Sequence, residues 1–292
     1  MTTGPDARLF DLGYRTYEGV RERPARAILT LAIFTLRRVL GLGRGARHKV
    51  LPAITLAIAF LPALVSVGFS VLAENIAVGD LISYGDYTFI IGSALALFSA
   101  LVAPEALCPD RRTGMLGLYL AGPLDRNRYL LAKAAGVFAV MLLITAGPLL
   151  FMLAAFVLAG FGPSIGETPL LLARIFAAGI LTALLYASLS LAVSSFTTRR
   201  AAAAVGVVLV LLVPVNVVRA AIESGGAPDA LDLFSFPLVA AEFAYRIFGE
   251  HADDDAPVTT LATWVVGSGL VAAIAAGFLV CWARYRRIEA FR

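Results

Sequence analysis

The chain has 292 residues, of which 60% are hydrophobic and only 15% are charged. Soluble domains average about one quarter charged residues, so this composition excludes a soluble enzyme and an intrinsically disordered chain. The net charge of +4 comes from basic residues that lie between long apolar blocks, which indicates a membrane-orientation signal and argues against nucleic acid as a partner.

Residues 1–49 predict a cytosolic lead-in that contains one amphipathic helix. The stretch Pro24–Leu40 is mostly apolar, and arginines flank it at both ends, with Arg37 and Arg38 at the second. Arg26 and Arg37 lie on one stripe of such a helix. Because crossing the membrane would carry one arginine cluster outside, we expect this helix to lie in the membrane interface, with a seventh span as the alternative.

Six further stretches are long and apolar enough to cross about 30 Å of hydrocarbon, which takes about 20 helical residues. They are Val50–Ala73, Tyr87–Leu107, Ala134–Gly160, Ile175–Phe196, Ala201–Val218 and Thr260–Trp282. Residues 50–292 therefore predict a six-span transmembrane domain, and the predicted fold class is an all-α polytopic membrane protein.

The basic residues lie almost entirely on one side of this arrangement. Of the 24 Lys and Arg residues, 21 lie before the first span, after the second, after the fourth or after the last. The three on the opposite side are Arg174, Arg219 and Arg246. The positive-inside rule therefore predicts a multi-pass protein of the cytoplasmic (plasma) membrane with both termini in the cytoplasm.

The spans carry little chemistry of their own. His48 and His251 lie in loops on opposite sides, so they cannot share a metal ion. Lys49 and Lys133, both assigned to loops, are not followed by Ser or Thr, so neither belongs to a phosphate-binding P-loop. No span carries an Asp, Glu, His or Lys near its centre, as an ion-coupled carrier requires. We expect no catalytic residue, metal or cofactor here, and any ATP must be bound by another polypeptide.

The loop between the second and third spans, residues 108–128, carries the most informative pattern. Its segment Asp110–Ala121 predicts a short amphipathic helix that begins with Arg111 and Arg112. The shared apolar face of that helix consists of Leu116, Tyr119 and Leu120. We expect Asp125 to cap the following helix. A short cytosolic helix joined to two spans is suited to pass a push from a soluble partner into the membrane, and a simple basic connector is the alternative.

The residues of this loop occur in a recognisable order. The order is acidic Glu105, a basic stretch, Gly114-Met-Leu116, and Pro123-Leu-Asp-Arg126. It resembles the coupling region of type-2 ABC exporter permeases. The lead-in Gly13-Tyr-Arg-Thr-Tyr-Glu-Gly19 is similar to one in many bacterial permeases of this kind. The resemblance covers the whole topology, from the lead-in to the long external loop before the last span.

This resemblance implies a transport subunit without its own nucleotide site. Two copies of an ABC ATPase on separate chains would bind ATP and Mg²⁺, and a second permease copy or a sister permease would complete the assembly. The residues implied in coupling are Glu105, Asp110, Arg111, Arg112, Gly114, Leu116, Tyr119 and Arg126. The ATPase would also grip the helix that carries Arg26, Arg37 and Arg38, and Glu105 would tie the second span to that helix through Arg37 or Arg38.

The loop 219–258 is expected on the external side. Its stretch Phe234–Phe248 is too apolar for a solvated loop and predicts a helix that lies on or dips into the outer leaflet. Permeases of the resembled family have re-entrant helices here, and a peripheral packing helix is the alternative. Within the spans, Gly147-Pro148 predicts a kink. Asn216 is a candidate for the substrate path, with a helix–helix hydrogen bond as the alternative.

The predicted lining of the spans is apolar, which favours an amphipathic or lipid-like cargo over small ions. The sequence therefore predicts the permease subunit of an ATP-driven exporter. Three alternatives stay open: a related permease for metal-centre maturation, a non-transporting scaffold or sensor partner, and a carrier that works without ATP.

Overall fold

The computed structural model describes residues 24–43, 45–72, 83–121, 124–160, 162–164, 166–250 and 256–288. The lead-in motif at 13–19, the Gly122-Pro123 pair and His251 lie outside these ranges. The helices of the described chain are α1 Pro24–Val39, α2 Arg47–Leu72, α3 Tyr84–Ile90, α4 Gly92–Arg112, α5 Met115–Leu120, α6 Arg126–Thr145, α7 Gly147–Ala159, α8 Thr168–Ser194, α9 Arg200–Gly225, α10 Phe236–Phe248 and α11 Thr263–Arg286. Two 3₁₀ turns, Asp229–Phe234 and Pro257–Thr260, flank α10.

Six stretches of the described chain are long and apolar enough to cross a membrane: most of α2, then α4, α6 with α7, α8, α9 and α11. Each overlaps one predicted span, so the all-α, six-span fold class is confirmed. The largest boundary difference is at the third span, which begins at Arg126 and not at Ala134. The third, fourth and fifth spans run longer than predicted because charged residues at their ends are helical too. The 16-residue helix α1 is shorter than a membrane span needs.

The third span is broken in its middle, as its sequence predicts. Helix α6 ends at Thr145, and α7 begins at Gly147 with Pro148 in its first turn. Proline lacks the backbone N–H that a continuous helix would use, so the ladder of hydrogen bonds is interrupted here. The helix is therefore interrupted at the position where the sequence predicts a kink.

Helix α8 is the centre of the bundle and packs against α4, α6, α9, α10 and α11. Small residues allow this close packing: a Cβ atom added at Gly277 of α11 would lie 2.8 Å from the backbone of Ser188. Ser188 and Ser190 are buried, and each donates a hydrogen bond to a carbonyl of its own helix. Hydroxyls satisfied in this way are compatible with an apolar core.

One end of the bundle, here called the α10 end, carries α3, α10 and the two 3₁₀ turns. Helix α10 begins two residues later than the predicted Phe234 and packs against α3, α8 and α11. The Tyr245 hydroxyl donates a 2.6 Å hydrogen bond to Asp86, and the Gly85 N–H donates to Glu250 at 2.7 Å. Arg246 pairs with Glu242 one turn earlier at 2.6 Å. The apolar helix is therefore a packed element of this end, while its depth in a membrane stays a prediction.

Candidate functional site

The opposite end of the bundle, here called the α5 end, contains the loop residues that the sequence analysis singled out. The C-terminal ends of α1, α4, α8 and α11 meet the N-terminal turns of α6 and α9 there, and α5 covers part of the junction. Five charged side chains from four helices form one cluster at this end, and we call it the ion cluster. Its members are Arg38, Glu105, Asp110, Lys133 and Arg200.

Asp110 is the buried centre of the ion cluster. Its carboxylate is only 2% exposed and lies 2.8 Å from Arg38 Nη1 and 2.6 Å from Lys133 Nζ. The Tyr129 hydroxyl donates a further hydrogen bond to it at 3.0 Å. Because a buried carboxylate is tolerated only with opposite charges and hydrogen-bond donors, these three partners explain how Asp110 can lie inside an apolar bundle.

Glu105 occupies the outer side of the same cluster. Its Oε1 atom is 3.5 Å from Arg38 Nε, and its Oε2 atom is 2.5 Å from Arg200 Nη1. Arg38 therefore bridges the two carboxylates of α4, while Arg200 joins the start of α9 to the same helix. The predicted tie between the second span and α1 is confirmed for Arg38, and Arg37 is exposed.

The prediction that Lys133 lies in a loop is wrong. The residue lies in the second turn of α6 and is completely buried. Besides Asp110, the ammonium group faces the rings of Tyr119 at 5.8 Å and Tyr129 at 5.6 Å, measured to the ring centroids. The sequence contains a pattern that predicts this buried position. Tyr129, Lys133 and Val137 recur every four residues, which places them along one stripe of a helix, and the structure buries that stripe.

The predicted helix Asp110–Ala121 is in fact two helices. Helix α4 continues through Arg112, and Gly114 adopts a left-handed conformation with φ of 71° before α5 begins. A glycine takes this conformation without the steric penalty of a Cβ atom. Asp110 therefore lies in the last turn of the second span with its side chain buried in the bundle, and not at the start of an exposed helix.

Arg111 and Arg112 end α4, where positive charge interacts favourably with the helix dipole. The Arg111 guanidinium donates hydrogen bonds to the carbonyls of Ser195 at 2.6 Å and Thr197 at 3.3 Å. It thereby holds the connection between α8 and α9 against α4. Arg112 is exposed. The two neighbouring arginines therefore have different surroundings, and only Arg112 presents its side chain outward.

Helix α5 has the apolar face that its sequence predicts. Leu116 is buried, and the ring of Tyr119 packs on Tyr129 with centroids 5.7 Å apart. Burial and the nearby Asp110 carboxylate raise the pKa of the Tyr119 hydroxyl, although Arg38 opposes this effect. Met115 and Leu118 are exposed. Helix α5 is thus attached to the cluster on one face and open on the other.

The remaining candidate residues lie apart from the ion cluster. Asp125 accepts a hydrogen bond from the Arg128 N–H and caps α6, as predicted. Arg126 donates a hydrogen bond to the Arg286 carbonyl at the end of α11. Arg26 is exposed at the start of α1. Asn216 is exposed on α9 and donates to the Leu212 carbonyl of its own helix, so this bond does not join two helices.

A family model described as ABC-2 family transporter protein matches residues 21–290, which is nearly the whole chain. A search of curated proteins finds no match. Within the described ranges, no group of three His, Cys, Asp or Glu side chains is placed to hold a metal ion.

Proposed function

The chain belongs to the ABC-2 family of transporter proteins, and from this premise we propose that it exports an amphipathic or lipid-like molecule across the cytoplasmic membrane. It is a multi-pass permease subunit of an ABC transporter, and its partner is an ABC ATPase subunit. In our proposal two ATPase copies bind ATP and Mg²⁺, this chain carries no cofactor, both termini are cytoplasmic, and a second permease copy or a sister permease completes the assembly.

The ion cluster is the observation that supports this mechanism. It joins α1, α4, α6 and α9 through buried or half-buried charge pairs, and α5 packs on it through Tyr119. Separating buried opposite charges is unfavourable, so helices joined in this way move together. A movement imposed on α5 or α1 by the ATPase is thereby transmitted to three membrane spans at once.

The coupling residues have two distinct roles in this proposal. Arg112, Met115 and Leu118 form an exposed surface that contacts the ATPase, with Arg26, Arg37 and Arg126 as further contacts. Glu105, Asp110 and Arg111 are positioning residues, because their partners lie within the chain. Gly114 permits the turn between α4 and α5, and Leu116 and Tyr119 attach α5 to the bundle. Asn216 stays a candidate for the substrate path.

The proposal is tested by co-expressing the full chain with the ABC ATPase encoded next to it and measuring co-purification. We expect Arg112→Glu to weaken ATPase association at least fivefold, because it reverses the charge of an exposed contact. The matched control is Arg199→Glu, an equally exposed arginine at the same end. Equal retention of the ATPase by both variants would contradict the proposed contact.

Transport is measured in proteoliposomes with the assembled complex. ATP-dependent movement of an amphipathic dye towards the compartment opposite the ATPase supports export. Transport by the isolated chain without an ATPase would contradict an ATP-driven mechanism. A stable complex that hydrolyses ATP but moves no cargo would favour the scaffold or metal-centre maturation alternatives.

A further inference from the structure

A groove opens beside the ion cluster, between α2 and α9. Both helices pack against α4, but within the described ranges they share no extended interface with each other. The resulting cavity has a volume of about 340 Å³, which is within the usual range for small-molecule sites. It is bordered by the end of α1, the second turn of α2, the start of α9 and the middle third of α4.

The walls of the groove are mostly apolar. They include Leu51 and Pro52 of α2, Phe98 and Leu101 of α4, and Ala201 and Ala204 of α9. The wall runs along α4 from Phe98 to Glu105, which is about 10 Å at the rise of an α-helix. An apolar groove of this length fits part of an acyl chain better than a hydrated ion.

The polar end of the groove carries excess positive charge. Among the described residues that line it, the charged ones are Arg38, Arg200 and Glu105, which give a net charge of +1. Asp110 and Lys133 behind them cancel each other, so the whole ion cluster also has a net charge of +1. A ligand with one negative charge would balance this end, and burial of the groove would strengthen that attraction.

Arg200 is the member of the cluster that can exchange its partner. Its side chain is 50% exposed, whereas that of Arg38 is 13% exposed. Glu105 keeps its contact with Arg38 if Arg200 turns away. A guanidinium group binds phosphate oxygens through two parallel hydrogen bonds, so a phosphate head can replace Glu105 as the partner of Arg200.

We propose that this groove binds one anionic amphiphile from the cytoplasmic leaflet, with its phosphate head on Arg200 and one acyl chain between α2 and α9. The inference rests on the proposed function, since it names the chemical class of the cargo. It places the head at the cytosolic end of the spans, beside the residues that transmit movement from the ATPase. Binding of the head there loosens the link between α9 and α4.

The test measures binding to the full chain, purified without the ATPase in a neutral detergent, by native mass spectrometry. Three probes separate the parts of the ligand: dioleoyl phosphatidate, dioleoylglycerol without the phosphate, and inorganic phosphate alone. We expect one phosphatidate per chain and weaker binding of both partial probes. Equal binding of dioleoylglycerol, or of inorganic phosphate, would overturn the proposal.

Variants of the charged end then locate the head. Arg200→Gln is expected to weaken phosphatidate binding roughly tenfold, the effect of losing one charge-assisted contact. Glu105→Gln is expected to strengthen it several-fold, because it removes the competing carboxylate. The matched control is Arg199→Gln, which changes the adjacent exposed arginine outside the groove. Equal binding by the Arg200 and Arg199 variants would overturn the assignment.

A groove-filling variant separates loss of binding from loss of the fold. Ala204→Phe adds a ring to the wall without changing a charge, and it is expected to abolish phosphatidate binding while ATPase co-purification is kept. Unchanged binding in this variant would place the ligand elsewhere. Because no ATPase is present in the binding measurement, a negative result removes this site and leaves the proposed export mechanism to its own co-purification and transport assays.

Discussion

The α5 end and the α10 end of the bundle are both held by polar side chains, but they use different interactions. At the α5 end, formal charges from helices far apart in sequence are interlocked around Asp110, which is 2% exposed. At the α10 end, Arg246 and Glu242 belong to the same helix. The polar contacts of α3 there are hydrogen bonds: Tyr245 of α10 donates to Asp86, and a backbone N–H donates to Glu250 just after α10.

This difference has a mechanical meaning. A buried charge cannot be left without its partner, so the helices of the α5 end stay together when one of them moves. A single hydrogen bond contributes about 1 kcal/mol to stability, or about 2 kcal/mol when its acceptor is charged, and it is replaced by water when it opens. We therefore expect the α5 end to move as a unit and the α10 end to separate more easily.

The largest predicted effect is at the centre of the ion cluster. Asp110→Asn leaves Arg38 and Lys133 buried without this counter-charge, so we expect a loss of about 3–5 kcal/mol in the free energy of unfolding. The measurement is chemical unfolding of the full chain in detergent micelles. The control is Asp125→Asn, which changes an exposed carboxylate at the cap of α6.

A second substitution separates charge burial from packing. In Asp110→Asn with Lys133→Met, the buried ammonium group is also removed, so part of the lost stability is expected to return. If the double variant were no more stable than Asp110→Asn alone, the charge pair would not be the source of the effect. The contributions of the α5 end and the α10 end to stability would then differ less than their contacts indicate.

A smaller effect is predicted at the α10 end. Tyr245→Phe removes the hydroxyl that donates to the ionised Asp86 carboxylate and keeps the ring, so we expect a loss of about 2 kcal/mol in the free energy of unfolding. Thermal unfolding of the two single variants under the same conditions gives the comparison directly. A loss as large as that of Asp110→Asn would contradict the distinction between the two ends.

The smallest effect is a pH dependence at the α10 end. Burial raises the pKa of Asp86, but hydrogen bonds from Tyr245 and Ser83 outweigh it and hold the pKa below the ordinary value of 3.8. The ionised carboxylate is therefore favoured in the folded state. The contribution of Asp86 to the free energy of unfolding is complete above the ordinary pKa. It is lost as the pH falls through the lowered pKa of the folded state.

The direction of the Asp86 pKa shift is tested by comparing the melting temperatures of the wild type and Asp86→Asn between about pH 6 and pH 3. The difference in melting temperature between the two proteins is expected to be constant above about pH 4 and to become smaller below it. In a Tyr245→Phe background the narrowing should be smaller, because one hydrogen bond that lowers the pKa is absent. A difference that grows on acidification would contradict the direction of the shift.

Much of the fold followed from local features of the sequence. The apolar blocks marked six spans, Gly147-Pro148 marked the break in the third, and Asp125 marked the start of α6. The separation of Asp110 from α5 was missed, because an amphipathic pattern continues across Gly114 while the backbone does not. Lys133 was missed because a lysine near the end of an apolar block is more often solvated.

The sequence by itself determined the membrane class, the number of spans and the order of motifs, because these depend on runs of neighbouring residues and on the cost of placing charge in lipid. Only the tertiary structure decided which charges meet. Arg38, Asp110, Lys133 and Arg200 lie on four helices, and whether each is a partner within the chain or a contact for another protein depends on how those helices pack. The same packing opened the groove beside Arg200, because α2 and α9 both rest on α4 without closing over it.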